Sequence, residues 1–186
     1  LQDNVQTVLI FGGSQGALKI NRATEQSIPA FDDKNYQVVF VTGKNRFDGV
    51  KTALKDVKVN ENIKILPYIS NMPAVLPKVA LIVGRAGATS LAEITALGIP
   101  SILIPSPYVT ADHQTKNAMS LVKNSAAIIE TEADLNGDSL VSKVDLLMND
   151  DKRRKEMADN AKEMGVTDAA DQLLRVCKSA IASHRK

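Results

Sequence analysis

Thr7-Val8-Leu9-Ile10-Phe11-Gly12-Gly13-Ser14-Gln15-Gly16-Ala17 is an apolar run that breaks into a glycine-rich turn and opens onto a helix-forming stretch. The same grammar returns at Val79-Ala80-Leu81-Ile82-Val83-Gly84-Arg85-Ala86-Gly87-Ala88-Thr89-Ser90. Strand, turn and helix in that order form the first half of a β-α-β unit, and such units build parallel sheets. A glycine turn at a helix start also leaves backbone N–H groups bare at the positive end of the helix dipole, where a phosphate can approach. Two such turns in one domain point to a ligand with a diphosphate, held from more than one side.

Outward from these turns, apolar runs recur at 7–11, 37–42, 63–66, 79–83, 101–104 and 126–129. Each is short, partly β-branched and apolar at nearly every position, the pattern of strands covered on both faces. Helical stretches at 16–30, 46–54, 72–76, 88–97 and 112–123 alternate with them, and helices alone follow at 134–148, 151–164 and 168–182. The expectation is a Rossmann-like, doubly wound α/β sheet of about six parallel strands with helices on both faces. Ligands of such sheets bind beyond the carboxyl ends of the strands. Gly12-Gly13-Ser14, Thr42-Gly43, Pro67-Tyr68, Gly84-Arg85 and Pro105-Ser106-Pro107 all gather there.

A length of 186 residues predicts one domain, 1–186, able to bury about 70% of its unfolded surface. Hydrophobic residues at 44% and charged residues at 24% suit a globular protein. The net charge of +2 is too small to argue for nucleic acid. The basic run Lys152–Lys155 is diluted by Asp150, Asp151 and Glu156 and reads as a solvated helix face; His184, Arg185 and Lys186 close the chain. Cys177, the one cysteine, excludes an internal disulfide, fits a reducing compartment and, beside Val176, reads as a packing residue. No apolar run reaches the roughly 18 residues of a membrane helix. Leu1 is not an initiator methionine, so a piece of a longer polypeptide is expected, with residues 1–4 the end of a connection.

Familiar nucleotide signatures fail. The dinucleotide fingerprint wants glycine where Ser14 stands and an acid closing the second strand, which ends instead in Thr42-Gly43. A P-loop fails as well, because Lys19 lacks the preceding glycine and the following hydroxyl residue. The first turn could be no more than a tight connection, but Ser14 and Gln15 add donors where small residues would have sufficed. In the second, Thr89, Ser90 and Glu93 share part of one helix face, where a carboxylate can accept both hydroxyl hydrogens of a ribose. Ser90-x-x-Glu93 also spells a capping box, although a helix starting near Gly87 would leave Glu93 beyond the capping position. His113, Gln114 and Asn117 follow a stiff, polar loop, and side-chain amides suit sugar hydroxyls; a capping Asp112 with exposed polar neighbours is the competing reading. A lone histidine with no partner cluster and no Asp-x-Asp pair give no indication of a metal.

The ordered set Gly12–Ala17, Gly84–Glu93 and His113-Gln114-x-x-Asn117-Ala118 closely resembles the MurG family, the GT-B glycosyltransferases of peptidoglycan synthesis. The likeness covers the C-terminal half of that two-domain architecture. It implies transfer of N-acetylglucosamine from UDP-GlcNAc to lipid I with inversion, giving lipid II, with no metal or other cofactor. It also implies that Ser14, Gln15 and Gly16 lie near the diphosphate, supported by Gly87, Ala88, Thr89 and Ser90. Glu93 would hold the ribose, Ile69 beside Tyr68 would read uracil through its main chain, and Met72 would wall that pocket. Gln114 and His113 would meet the sugar, where some members have two glutamines. The resemblance places the acceptor site, general base and membrane-docking patch on an N-terminal domain, so no catalytic residue is expected here. The whole protein is then cytoplasmic and peripheral at the membrane. The 168–182 helix would cross back to the N-terminal domain, its face of Ala169, Leu173, Val176 and Ala180 free to promote self-association. Two other readings stay open: the donor domain of another GT-B glycolipid glycosyltransferase, and a non-catalytic nucleotide-binding or partner-docking module.

Overall fold

The computed structural model describes residues 2, 4–13 and 15–183. Six strands, β1 (Thr7–Phe11), β2 (Gln37–Val41), β3 (Ile63–Leu66), β4 (Leu81–Gly84), β5 (Ser101–Leu103) and β6 (Ala127–Ile129), form one sheet in the order β3-β2-β1-β4-β5-β6. Every pairing is parallel. The helices are α1 (Leu18–Phe31), α2 (Phe47–Ala53), α3 (Met72–Val75), α4 (Ala88–Leu97), α5 (His113–Lys123), α6 (Gly137–Met148), α7 (Asp151–Glu163) and α8 (Ala169–Ser183). This is the doubly wound sheet that the alternation predicts.

Two cores sandwich the sheet. Val8 and Ile10 of β1 face one core, with Ile20 and Ile28 of α1 and Leu140 and Val144 of α6. Leu9 points the other way, into a core with Leu91 and Ile94 of α4 and Leu121 of α5. Strand side chains alternate with a period of two, so a strand apolar throughout serves both layers. Each such fully buried side chain contributes roughly 1.5–3 kcal/mol. β1 and β4 lie side by side at the point where the strand order reverses, with Phe11 opposite Gly84. A crevice opens at such a switch point.

Several boundaries differ from the sequence reading. β4 starts after Val79, whose amide is committed to the Leu76 carbonyl at 3.1 Å. α6 starts at Gly137 rather than 134, because Asn136 and Ser139 close a reciprocal capping box. Asp134 instead accepts the Thr131 hydroxyl at 2.6 Å. Asp112 does not cap α5: it has φ 50° and makes no side-chain cap bond. Cys177 is exposed, not packed, since no residue of α8 is buried. Leu173 and Val176 on that helix are 64% and 65% exposed. No helix among the described residues is long and apolar enough to cross a membrane.

Candidate functional site

The β1–α1 turn is built by backbone contact. Gly13 and Gly16 have φ of 86° and 70°, and the Gly16 amide donates to the Gly13 carbonyl at 3.0 Å. A Cβ on Gly16 would stand 2.0 Å from the Thr42 carbonyl oxygen, and one on Gly43 would stand 2.7 Å from the Gly16 nitrogen. Two loops therefore touch main chain to main chain, which only glycine permits. Asn21 reinforces the joint, its side-chain amide donating to the Thr42 carbonyl at 2.9 Å. Gln15 is exposed, and Ser14 lies outside the described residues. Ala17 precedes α1 without a side-chain cap, so the first amides of this helix look out toward the rim.

Across the switch point, Gly87 is the residue before α4 and supplies no side-chain cap. The third helical position is Ser90, so Glu93 lies too far along to close a capping box. Glu93 is half-buried and has no hydrogen bond or ion pair among the described residues. Ala88 and Thr89 are exposed and Ser90 is half-buried. A Cβ added to Gly87 would meet nothing within 4 Å, and the same is true at Gly13. These two glycines leave open space, whereas Gly12, Gly16 and Gly43 fill theirs with main chain.

Beyond β3, Ile69 and Met72 are half-buried against the α4-side core. Tyr68 is exposed, with the Lys44 ammonium 4.7 Å from its ring centroid. Asn71 caps α3 by accepting the Ala74 amide at 3.3 Å. On the β5–α5 side, the Gln114 carbonyl oxygen accepts the Ser106 amide at 3.0 Å, and its NH₂ group makes no hydrogen bond among the described residues. His113 is exposed and donates Nδ1–H to the Thr110 carbonyl at 2.9 Å. Asn117, expected beside Gln114, instead donates to the Ala86 carbonyl at 3.2 Å and staples α5 to the second glycine turn.

Gly16 and Gln114 line a cleft of about 500 Å³ over this rim. The other described candidates are not among its lining residues: Tyr68, Ile69, Met72, Gly87, Ala88, Thr89, Ser90 and Glu93 follow β3–α3 and α4, Gln15 lies in the β1–α1 turn and His113 opens α5. Sequence reasoning missed the charged lining of the cleft. Lys19, Arg22, Arg46, Arg85 and Glu132 all face it. Arg85 donates to the Ile104 carbonyl at 3.0 Å and pairs with Glu132. One signal was available, because Lys19 and Arg22 are three apart on the exposed side of a helix. Nothing local announces Arg46, which reaches the cleft from the β2–α2 loop.

This geometry can be set against known proteins. Residues 7–173 match the model described as the glycosyltransferase family 28 C-terminal domain. The chain belongs to this family. Among curated relatives, the UDP-N-acetylglucosamine–N-acetylmuramyl-(pentapeptide) pyrophosphoryl-undecaprenol N-acetylglucosamine transferase of Levilactobacillus brevis is 64% identical over 179 residues, 96% of this chain and 49% of the relative. The transferase of that name from Lactiplantibacillus plantarum is 55% identical over 181 residues, 97% of this chain and 50% of the relative. The family 28 domain thus spans about half the length of these relatives. A crystal structure of Acinetobacter baumannii MurG superposes with a TM-score of 0.81 over 96% of this chain and 51% of that one; at 24% identity it speaks for the shared fold.

Proposed function

We propose that this family 28 domain binds the nucleotide sugar of a transferase that moves N-acetylglucosamine from UDP-GlcNAc to lipid I. The carrying observation is Glu93, a carboxylate half-buried on α4 with no partner among the described residues, one turn beyond a bare helix start whose Gly87 leaves open space. A ribose diol donating to Glu93 would put the diphosphate against the amides of Gly87, Ala88 and Thr89. Ser14, Gln15 and Gly16 would close on it from the other turn. Uracil would then lie toward Tyr68, Ile69 and Met72, and the sugar toward Gln114 and His113. The names and half-length coverage of the relatives support the donor and acceptor assigned here.

In transfer, the leaving UDP gains negative charge, and preoriented amides at two helix starts stabilise charge as it develops. The same reading leaves that compensation to backbone amides and helix dipoles instead of a metal, so donor binding survives EDTA. The acceptor and the general base belong to a companion domain. The whole protein works peripherally at the cytoplasmic face of the membrane, and α8 docks on the companion domain or self-associates without it.

Calorimetry tests the reading directly. UDP-GlcNAc and UDP should bind, with UDP-glucose weaker and NAD silent. Glu93→Ala removes a charge-assisted hydrogen bond and should weaken UDP by about 1.5–3 kcal/mol, roughly tenfold to a hundredfold. Unchanged UDP affinity in that variant would sink the proposal.

A further inference from the structure

The cleft holds more positive charge than one donor diphosphate accounts for. Of its ionisable lining groups, four are cationic (Lys19, Arg22, Arg46 and Arg85) and Glu132 alone is anionic. Glu132 is committed to Arg85. Lys19, Arg22 and Arg46 have no ion-pair partner among the described residues. Arg46 Nε is buried with no acceptor among the described residues. The Arg46 stem is held at the joint of the two backbone-locked loops, its Cδ 3.2 Å from where a Gly16 Cβ would stand. Glu25 lines the adjoining hollow with Arg22 and Arg46 and interacts electrostatically with Arg22, though it closes no ion pair with either among the described residues. Like charges gathered in a cleft repel one another unless a counter-ion neutralises them, and a guanidinium is built to grip phosphate with two donors.

We propose that Lys19, Arg22 and Arg46 form an anion subsite for a phosphate or diphosphate group other than the donor's own. That it is a second group rests on the donor reading above; that it is an anion site does not. The cations line the α1 side of the cleft; of the donor residues, Gly16 and Gln114 share that cleft, whereas Glu93, Ile69 and Met72 lie off it, on α4 and along β3–α3. The proposal therefore requires a phosphate-bearing acceptor to take the α1 side while the donor's diphosphate sits at Gly16, which the competition with UDP below tests. Anionic lipid headgroups present the same chemistry, and the experiment separates the sources.

Inorganic pyrophosphate is titrated calorimetrically into the 186-residue chain presaturated with UDP, at low and at moderate salt. Pyrophosphate should still bind, more weakly as salt rises. Arg22→Gln and Arg46→Gln should each weaken it about tenfold while UDP affinity moves less than about threefold. Lys19→Gln, at an exposed position, keeps the test decisive should Arg46→Gln fold poorly. Flotation with phosphatidylglycerol vesicles, against phosphatidylcholine vesicles, identifies a headgroup source if Arg46-dependent binding appears there and not with pyrophosphate. Pyrophosphate that binds only in the absence of UDP, or variants that change nothing in either assay, would overturn the subsite. Absent UDP binding with Arg46-dependent pyrophosphate binding would instead remove the donor reading and leave the anion site standing.

Discussion

Gly16 and Gly87 are both turn glycines, yet the space around them differs. Gly16→Ala forces a Cβ to 2.0 Å from the Thr42 carbonyl oxygen at a φ of 70°, so the loops must part. A loss of several kcal/mol, about 3 or more, should appear as a lower urea midpoint. At Gly87 the φ is −72° and nothing stands within 4 Å. Gly87→Ala should cost under about 1 kcal/mol of stability as a poorer cap while weakening UDP, and a calorimetric titration beside a melting curve separates the two effects. Glu25 carries the pH prediction. Burial raises its carboxyl above the ordinary 4.5, with Arg22 opposing. A raised folded value means the stability Glu25 lends is complete below its unfolded value and is lost as pH rises through the folded one. Glu25→Gln should therefore gain stability near pH 7, and the gain should vanish by about pH 4; equal urea midpoint differences at both would contradict this. The place of Glu93 beyond the capping position was legible because its helix register follows from the glycine before it. Arg46 was not, because its place depends on a contact between two loops that no short stretch of sequence encodes.

At the scale of elements, the strands were legible because a strand buried on both faces is apolar throughout, and all six fall within two residues of the expected bounds. Helix starts were less so. Any of several polar residues can cap, and the winner at α6 is Asn136, which has Ser139 three residues on, rather than Asp134, which finds Thr131. Asp112 was read as a possible cap, but a left-handed backbone turns its side chain away from that use. α8 follows a different logic. Its apolar face predicts a packed helix, yet none of its residues is buried, so the described fold leaves that face uncovered. Deleting residues 168–186 should shift the melting temperature by no more than about 2 °C, since little apolar area is lost from the two cores. Sedimentation should show less association in the shortened chain than in the parent. A large drop in stability would mean that α8 is part of the fold after all.

For the molecule as a whole, the switch point sets the two glycine turns beside one another. β1 and β4 are neighbours, each anchored in both cores, so the turns that leave them are fixed relative to one another. A ligand that binds only this folded arrangement stabilises it by mass action. UDP at a hundred times its dissociation constant should add about 2.7 kcal/mol and raise the melting temperature by several degrees. NAD at the same concentration should leave it unmoved. The sheet order and the two-sided packing were open to sequence reasoning because they follow from alternation and apolarity. The charge crowded into the cleft was not, because it is gathered from α1 and three separate connections. The interlock of Gly16 with Gly43 has a mechanical consequence. With main chain abutting main chain, the floor under an incoming anion has no slack to take up, so little ordering entropy is spent there. Any adjustment to guests of different size would fall to the rest of the lining, where Tyr108 stands exposed.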